Sequence, residues 1–189
     1  MAQFGACHPV FKPDGAEHGV VLGKLVAANL TINTASGELY ADDGLAEQLT
    51  EFSSGSLALE TDRMEDDTAV AIYGCKVTDG VVVYNKDDTP PIGKFGYFKT
   101  LMRNGVKFYR AVLLTRTRAA LGNDNAQTRG NNITFSTEQT TLTVMDDENG
   151  DWRKTKTCST KEDAISWLDT QCSISTSSGS GGSGSGTGT

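Results

Sequence analysis

The residues with chemical reach are few and scattered. His8 and His18 are the two histidines of the 189-residue chain, and both stand in an N-terminal stretch rich in Pro and Gly that reads as loop. Acid–base or metal chemistry at either would need converging partners, and there is no HExxH motif and no CxxC…CxxC spacing. Cys7 beside His8 offers the atoms of a thiolate–imidazole pair. Neighbours on an extended segment point to opposite sides, however, so the expectation is solvated or loop-packing histidines. No GxSxG elbow or P-loop occurs. Gly179, Gly181 and Gly184 satisfy GxGxxG only inside a Ser/Gly tail, without the strand and helix that give that string its meaning. The sequons at Asn29 and Asn132 matter only after secretion. The run Asp146-Asp147-Glu148-Asn149-Gly150-Asp151 lacks the spacing and closing Glu of a calcium loop. It reads as an exposed hairpin turn with Asn149-Gly150 at its tip, and Asp42-Asp43-Gly44 reads as another turn. No catalytic residue, metal or cofactor is expected, and the chain is expected not to be an enzyme.

Charge is more informative, because it is segregated. The net charge is -7, which disfavours a general nucleic-acid binder. Between Thr34 and Asp67 the acids Glu38, Asp42, Asp43, Glu47, Glu51, Glu60, Asp62, Glu65, Asp66 and Asp67 stand against Arg63 alone. Between Thr89 and Asn123 the cations Lys94, Lys99, Arg103, Lys107, Arg110, Arg116 and Arg118 meet no acid. From Asp124 to Asp151 acids dominate again. Either strands from different blocks neutralise one another within one subunit, or the complementarity lies between subunits.

The elements that must carry these charges are mostly strands. Ala28, Leu30 and Ile32 alternate with polar residues, as do Leu57 and Leu59, and Val81 and Val83 follow an Asp79-Gly80 turn. The strongest local signal runs from Lys94 to Arg118, where two β-rich runs flank Asn104-Gly105, the dipeptide best suited to a type I′ turn. A two-residue turn there makes paired residue numbers sum to 209. Leu101 then faces Phe108, Tyr97 faces Val112, and Lys99 faces Arg110. Like charges directly opposed are unfavourable, so something acidic should cover Lys99 and Arg110: phosphate, the chain's own acidic segment, or a neighbouring copy. The aromatics Phe95, Tyr97, Phe98, Phe108 and Tyr109 are either core or a stacking surface for bases, core being the simpler reading. Residues from Ile133 to Met145 read as another strand, with one more after Trp152.

Two short helices are expected. One is capped by Asp62, runs to Tyr73 and is ended by Gly74; the other has a Ser159/Glu162 capping box, with Ala164, Ile165, Leu168 and Cys172 on one face. The fold class is therefore mainly β, a sandwich or barrel-type core with one or two short flanking helices. Residues 1–172 form the globular unit and 173–189 a flexible Ser/Gly/Thr-rich tail or linker. Met1–Phe4 carries no signal-peptide pattern and no run is long and apolar enough to span a membrane, so Cys7, Cys75, Cys158 and Cys172 are expected as free thiols in a reducing compartment.

The succession GVVLGK (19–24), LYADDGLAE (39–47), FSSGSLAL (52–59), NGVKFYRAVLL (104–114), NNITFSTE (131–138) and ENGDWRKTKT (148–157) resembles the major tail proteins of long, non-contractile-tailed bacteriophages of Gram-positive bacteria. The resemblance spans about residues 8 to 172. It implies a β-sandwich tail-tube subunit with a flanking helix. Six copies would form a ring, and rings would stack into the conduit for genome delivery. It also implies virion localisation, with assembly in the host cytoplasm. The implied partners are copies of the chain itself, tape-measure and terminator proteins, and double-stranded DNA in transit, with no membrane and no cofactor. Members often carry a C-terminal immunoglobulin-like domain, and here the Ser/Gly tail stands where its linker would begin. The resemblance brings no catalytic residues.

Segregated charge suits the heterologous contacts of a ring. The subunit-interface candidates are Asp42, Asp43, Lys99, Arg103, Arg110 and Asp147, with the cations facing acids of an adjacent copy rather than the bore. The alternative is a β-rich single-stranded nucleic-acid-binding module using the basic aromatic hairpin 94–118. A hydrolase has only the Cys7/His8 pair behind it, and a capsid-surface or tail-terminator protein shares the virion setting.

Overall fold

The computed structural model describes residues 2–41, 44–121 and 137–175. Among these residues, ten strands and two helices follow in the order β1 (Ala2–Pro13), β2 (Val20–Val21), β3 (Leu25–Ala41), β4 (Gly44–Thr61), α1 (Asp66–Tyr73), β5 (Lys76–Thr78), β6 (Val81–Val83), β7 (Ile92–Arg103), β8 (Val106–Ala119), β9 (Glu138–Met145), β10 (Arg153–Cys158) and α2 (Lys161–Cys172). The chain is mainly β with two short helices. Strands β2-β1-β7-β8-β9-β4-β3 form one antiparallel sheet, β10 also pairs with β8, and β5-β6 make a separate hairpin. The stretch holding His8 is strand rather than loop. Strand β1 also comes against β3, so the sheet curls toward closure.

Asn104 and Gly105 both hold positive φ, 50° and 77°, as a type I′ turn requires. The β7–β8 register follows the sum of 209 from Arg103–Val106 to Phe95–Leu114, and one bulge between Gly93 and Phe95 shifts it by a residue beyond. Alternation then assigns two faces. Phe95, Tyr97, Val112 and Leu114 point into the concave side with Phe11, Leu57, Leu142, Val144 and Ile72 of α1. Phe98, Ala111 and Leu113 point outward and are covered by Ala164, Leu168 and Cys172 of α2.

Both helices start later than the sequence suggests. Asp62 does not cap α1: its Oδ1 accepts from the Lys24 N–H at 2.7 Å. That bond, opposed by partial burial and helped by Arg63, holds the carboxyl below its ordinary range. Glu65 stands at the N-cap instead, without a side-chain cap, and Gly74 closes the helix at φ 70°. Helix α2 is capped by Thr160, whose Oγ1 accepts from Asp163 N–H at 3.1 Å, one residue beyond the expected Ser159. The ordered unit also runs past Cys172. Ser173 caps α2 in the left-handed conformation, and Ile174 bridges to Gly19 and packs on the outer cluster. Residues 176–189 of the expected tail lie outside the described residues, as does the start of the strand expected from Ile133.

The acidic run is not a hairpin tip. β9 and β10 both run antiparallel to β8 along the same edge, β9 against Arg116–Ala119 and β10 against Tyr109–Leu114. Residues 146–152 loop out between them. Asp147 Oδ1 accepts from the N–H groups of Asn149 and Asp151, both at 2.9 Å, and Thr115 N–H donates to Trp152 O at 3.3 Å. The loop thus returns to the strand it left, and the chain keeps its direction.

β1 approaches β7 closely at Gly93, where a Cβ would collide with the Lys12 carbonyl oxygen and lie 2.7 Å from Phe11 Cζ. The first obstacle is backbone, which cannot rotate away. Gly93→Ala should lower stability by about 1–3 kcal/mol. Gly37→Ala, with nothing within 4 Å of the new Cβ, should stay within about 0.5 kcal/mol of wild type. Urea unfolding followed by circular dichroism separates the two; equal effects would mean that the β1–β7 spacing gives way easily.

Candidate functional site

The side chains with catalytic potential do not converge. His8, at a bulge with φ 56°, places Nε2 2.7 Å from Asp169 Oδ1 and so staples β1 to α2. Lys12 Nζ reinforces this by donating to Ser173 Oγ at 2.7 Å. His18 Nδ1 lies 3.3 Å from Ser173 O. Cys7 is exposed and the other three cysteines are buried. Burial pushes the Cys172 thiol up to about 11, away from nucleophile chemistry. Among the described residues, no three His, Cys, Asp or Glu side chains gather where they could hold a metal ion.

The sheet does bring cations together. Lys99 of β7 and Arg110 of β8 are directly opposed, as expected. Arg153 joins them from β10, where it pairs with Leu114 and so shares the concave side. Its guanidinium sits 4.6 Å from the centre of the Trp152 ring, and Trp152 stacks on Phe52 of β4 at 4.8 Å with the planes 1° apart. This stack fixes a long side chain at little further entropy cost. Partial burial, then the charges of Arg110 and Arg153, hold the Lys99 ammonium below its ordinary range. Arg110 makes only a long contact, Nε to Thr157 Oγ1 at 3.5 Å.

Among the described residues, no carboxylate lies within 4 Å of Lys99, Arg103, Arg110 or Arg153. The chain's own described acids therefore do not neutralise this cluster. Arg103 lies at the exposed tip of the hairpin, separate from the cluster. Asp147 faces elsewhere. Its carboxylate serves its own loop and Lys154 Nζ at 4.0 Å, in a cleft on the α2 side shared with Lys94 and Leu113. Asp42 and Asp43 lie outside the described residues. Arg153 was missed from sequence because its strand was not matched to a neighbour. Pairing β10 with β8 is what turns it inward.

The other conspicuous feature is the β3–β4 hairpin. Among the described residues, β4 pairs with β9 only from Gly55 to Thr61, while its residues 44–54 pair with β3 alone. At ~3.3 Å per residue that ribbon projects roughly 36 Å. Glu47, Leu49 and Glu51 on it are exposed.

No protein-family model matches the chain, and no curated protein matches it.

The lowered Lys99 gives a signed expectation. A cation whose folded-state pKa is depressed costs stability while charged, and the cost fades as pH rises through that value toward the unfolded ~10.4. Lys99→Met should therefore stabilise the isolated subunit by about 0.2–1 kcal/mol at pH 7, with the gain shrinking as pH approaches ~10 and largely gone above it. Denaturant titrations at both pH values check this. A destabilised variant would mean that an acid already covers Lys99.

Proposed function

We propose that this chain is the subunit of a self-assembling tube of the phage-tail kind, in which copies join into rings, six by the resemblance, that stack around a bore for DNA. The observation that carries the reading is the β3–β4 ribbon. A two-stranded hairpin is marginal on its own in water, and an open edge invites pairing with another chain. Among the described residues, 44–54 have a strand partner on one side only and β3 has none on its outer edge. A ribbon of that reach finds its third strand or its cover on a neighbouring subunit.

Two further features support assembly. Lys99, Arg110 and Arg153 form a cationic cluster with no ion-paired acid among the described residues, suited to carboxylates of an adjacent copy, and the net charge of -7 disfavours general adsorption of DNA. Arg103, Asp42 and Asp43 stay as interface candidates in this reading, whereas Asp147 is engaged in its own loop. Tape-measure and terminator proteins would meet the ends of such a tube.

The nucleic-acid-binding alternative needs exposed rings on the basic hairpin; Phe95, Tyr97 and Phe98 are buried at 0%, 6% and 1% exposure, which leaves it the half-buried Phe108 and Tyr109.

Replacing residues 36–50 by Asn-Gly leaves Ala35 and Glu51, which already pair, flanking a two-residue turn. This shortened chain should keep the thermal midpoint of wild type within a few degrees, because the part removed lies beyond the β4–β9 pairing. Negative-stain images of wild type at rising concentration should contain rings or tubes, and images of the shortened chain should not. Wild type that stays monomeric throughout would sink the reading.

A further inference from the structure

The β7–β8 strands end in two surfaces of opposite character. At the turn, Arg103 and Lys107 flank Val106, all three exposed and Val106 at 54%. At the far end a groove of about 700 Å³ opens between α1, the β5–β6 hairpin and the start of β9. Met64, Val82 and Leu121 give it an apolar lining, and Asp66, Asp88 and Glu138 give it acid. Lys86 is its one cation among the described residues. None of the three acids has an ion-pair partner within 4 Å among the described residues. Asp88 Oδ2 does accept from the Asn85 N–H at 2.6 Å. The acids act on the lining: burial raises the Tyr73 phenol, Thr140 opposes that, and Glu138 adds to it. Exposed apolar side chains collect at the rim, with Tyr84 at 62% and Leu121 at 65%. A cluster of this kind marks a contact surface.

We infer that the Arg103–Val106–Lys107 tip of one copy docks in the acid-lined groove of a second copy. The complementarity is double, cation to carboxylate and Val106 to the apolar lining. It cannot be satisfied within one molecule. The tip and Leu121 lie at opposite ends of β8, whose 14 residues at ~3.3 Å span roughly 46 Å of a packed sheet. Contact between unlike surfaces at opposite ends is heterologous, so it propagates from copy to copy and either closes a ring or runs on as a filament. The inference rests on the proposed self-assembly and names the surfaces that carry it.

Two double variants test it, R103E/K107E with an acidic tip and D66K/E138K with a basic groove. Each alone juxtaposes like charges and should raise the protein concentration at which assemblies appear by at least about tenfold. Mixed one to one, each tip meets a groove of opposite sign, and assemblies should reappear at the wild-type threshold in sedimentation velocity and electron micrographs. The tip variant alters only exposed residues and should keep the wild-type thermal midpoint, so its result does not depend on the groove variant folding. Wild type that never assembles overturns the proposed function and this docking together. Wild type and R103E/K107E assembling alike overturns the docking alone. Two variants that fail singly and also fail as a mixture overturn it as well, since the groove then closes on something other than this tip.

Discussion

Two residues held at positive φ, Asn104 and Gly105, fix the partner of every residue from Phe95 to Leu114. Because the side-chain period along a strand is two, that register commits both faces of the hairpin at once. One face supplies Phe95, Tyr97, Val112 and Leu114 to the concave core; the other supplies Phe98, Ala111 and Leu113 to α2. A slip by one residue would send each set to the wrong side. The same register also sets Lys99 against Arg110. The repulsion is a by-product of a pairing that the core enforces, and burial of the aromatic and aliphatic neighbours, at ~1.5–3 kcal/mol per large side chain, outweighs a like-charge pair worth ~0.2–1 kcal/mol.

What lies along the free edge of β8 follows from that hairpin. β9 and β10 share the edge end to end, and the Asp147 loop is the slack between them. The loop delivers Trp152 to Phe52 and Arg153 to the concave side. One aromatic stack thus ties the root of the β3–β4 ribbon to the sheet and holds a third cation near Lys99 and Arg110. Fold and charge cluster are therefore coupled.

Local signals were legible in the sequence and long-range ones were not. The Asn104-Gly105 turn, the alternation around Leu57 and Leu59 and the apolar stripe of α2 are short-range patterns, and each appears in the structure. Asp62 and Ser159 both have capping chemistry, but the Asp62 carboxylate is taken by the Lys24 N–H, 38 residues away in sequence and just ahead of β3, and Thr160 caps α2. The acidic run looked like a hairpin because Asn149-Gly150 suits one. Whether two flanking strands pair with each other or with a third depends on β8, which no local pattern reports. The groove at Glu138 is likewise invisible in sequence, since α1, β6 and β9 supply it from distant segments.

The balance of forces explains why the extremities of this fold look to other molecules. Ordering a residue costs ~1–2 kcal/mol of backbone entropy, which a strand recovers through packing on at least one face. Residues 55–61 of β4 recover it against β9 and the core; among the described residues, 44–54 pair with β3 alone and pack on the core mainly through Phe52. The β5–β6 hairpin stands in a similar position, with Val77, Val81 and Val83 exposed. Cationic repulsion at Lys99, uncovered acids at Glu138 and exposed Tyr84 and Leu121 are each small costs in an isolated subunit, and each is relieved by a surface of opposite sign or of apolar character. Such costs persist in a folded protein when the relieving surface is present where the protein works. Here the relieving chemistry is written elsewhere on the same chain, with basic residues at one end of β8 and acidic residues at the other. In the proposed assembly, a neighbour identical to the molecule itself would offer the basic tip a groove of opposite sign.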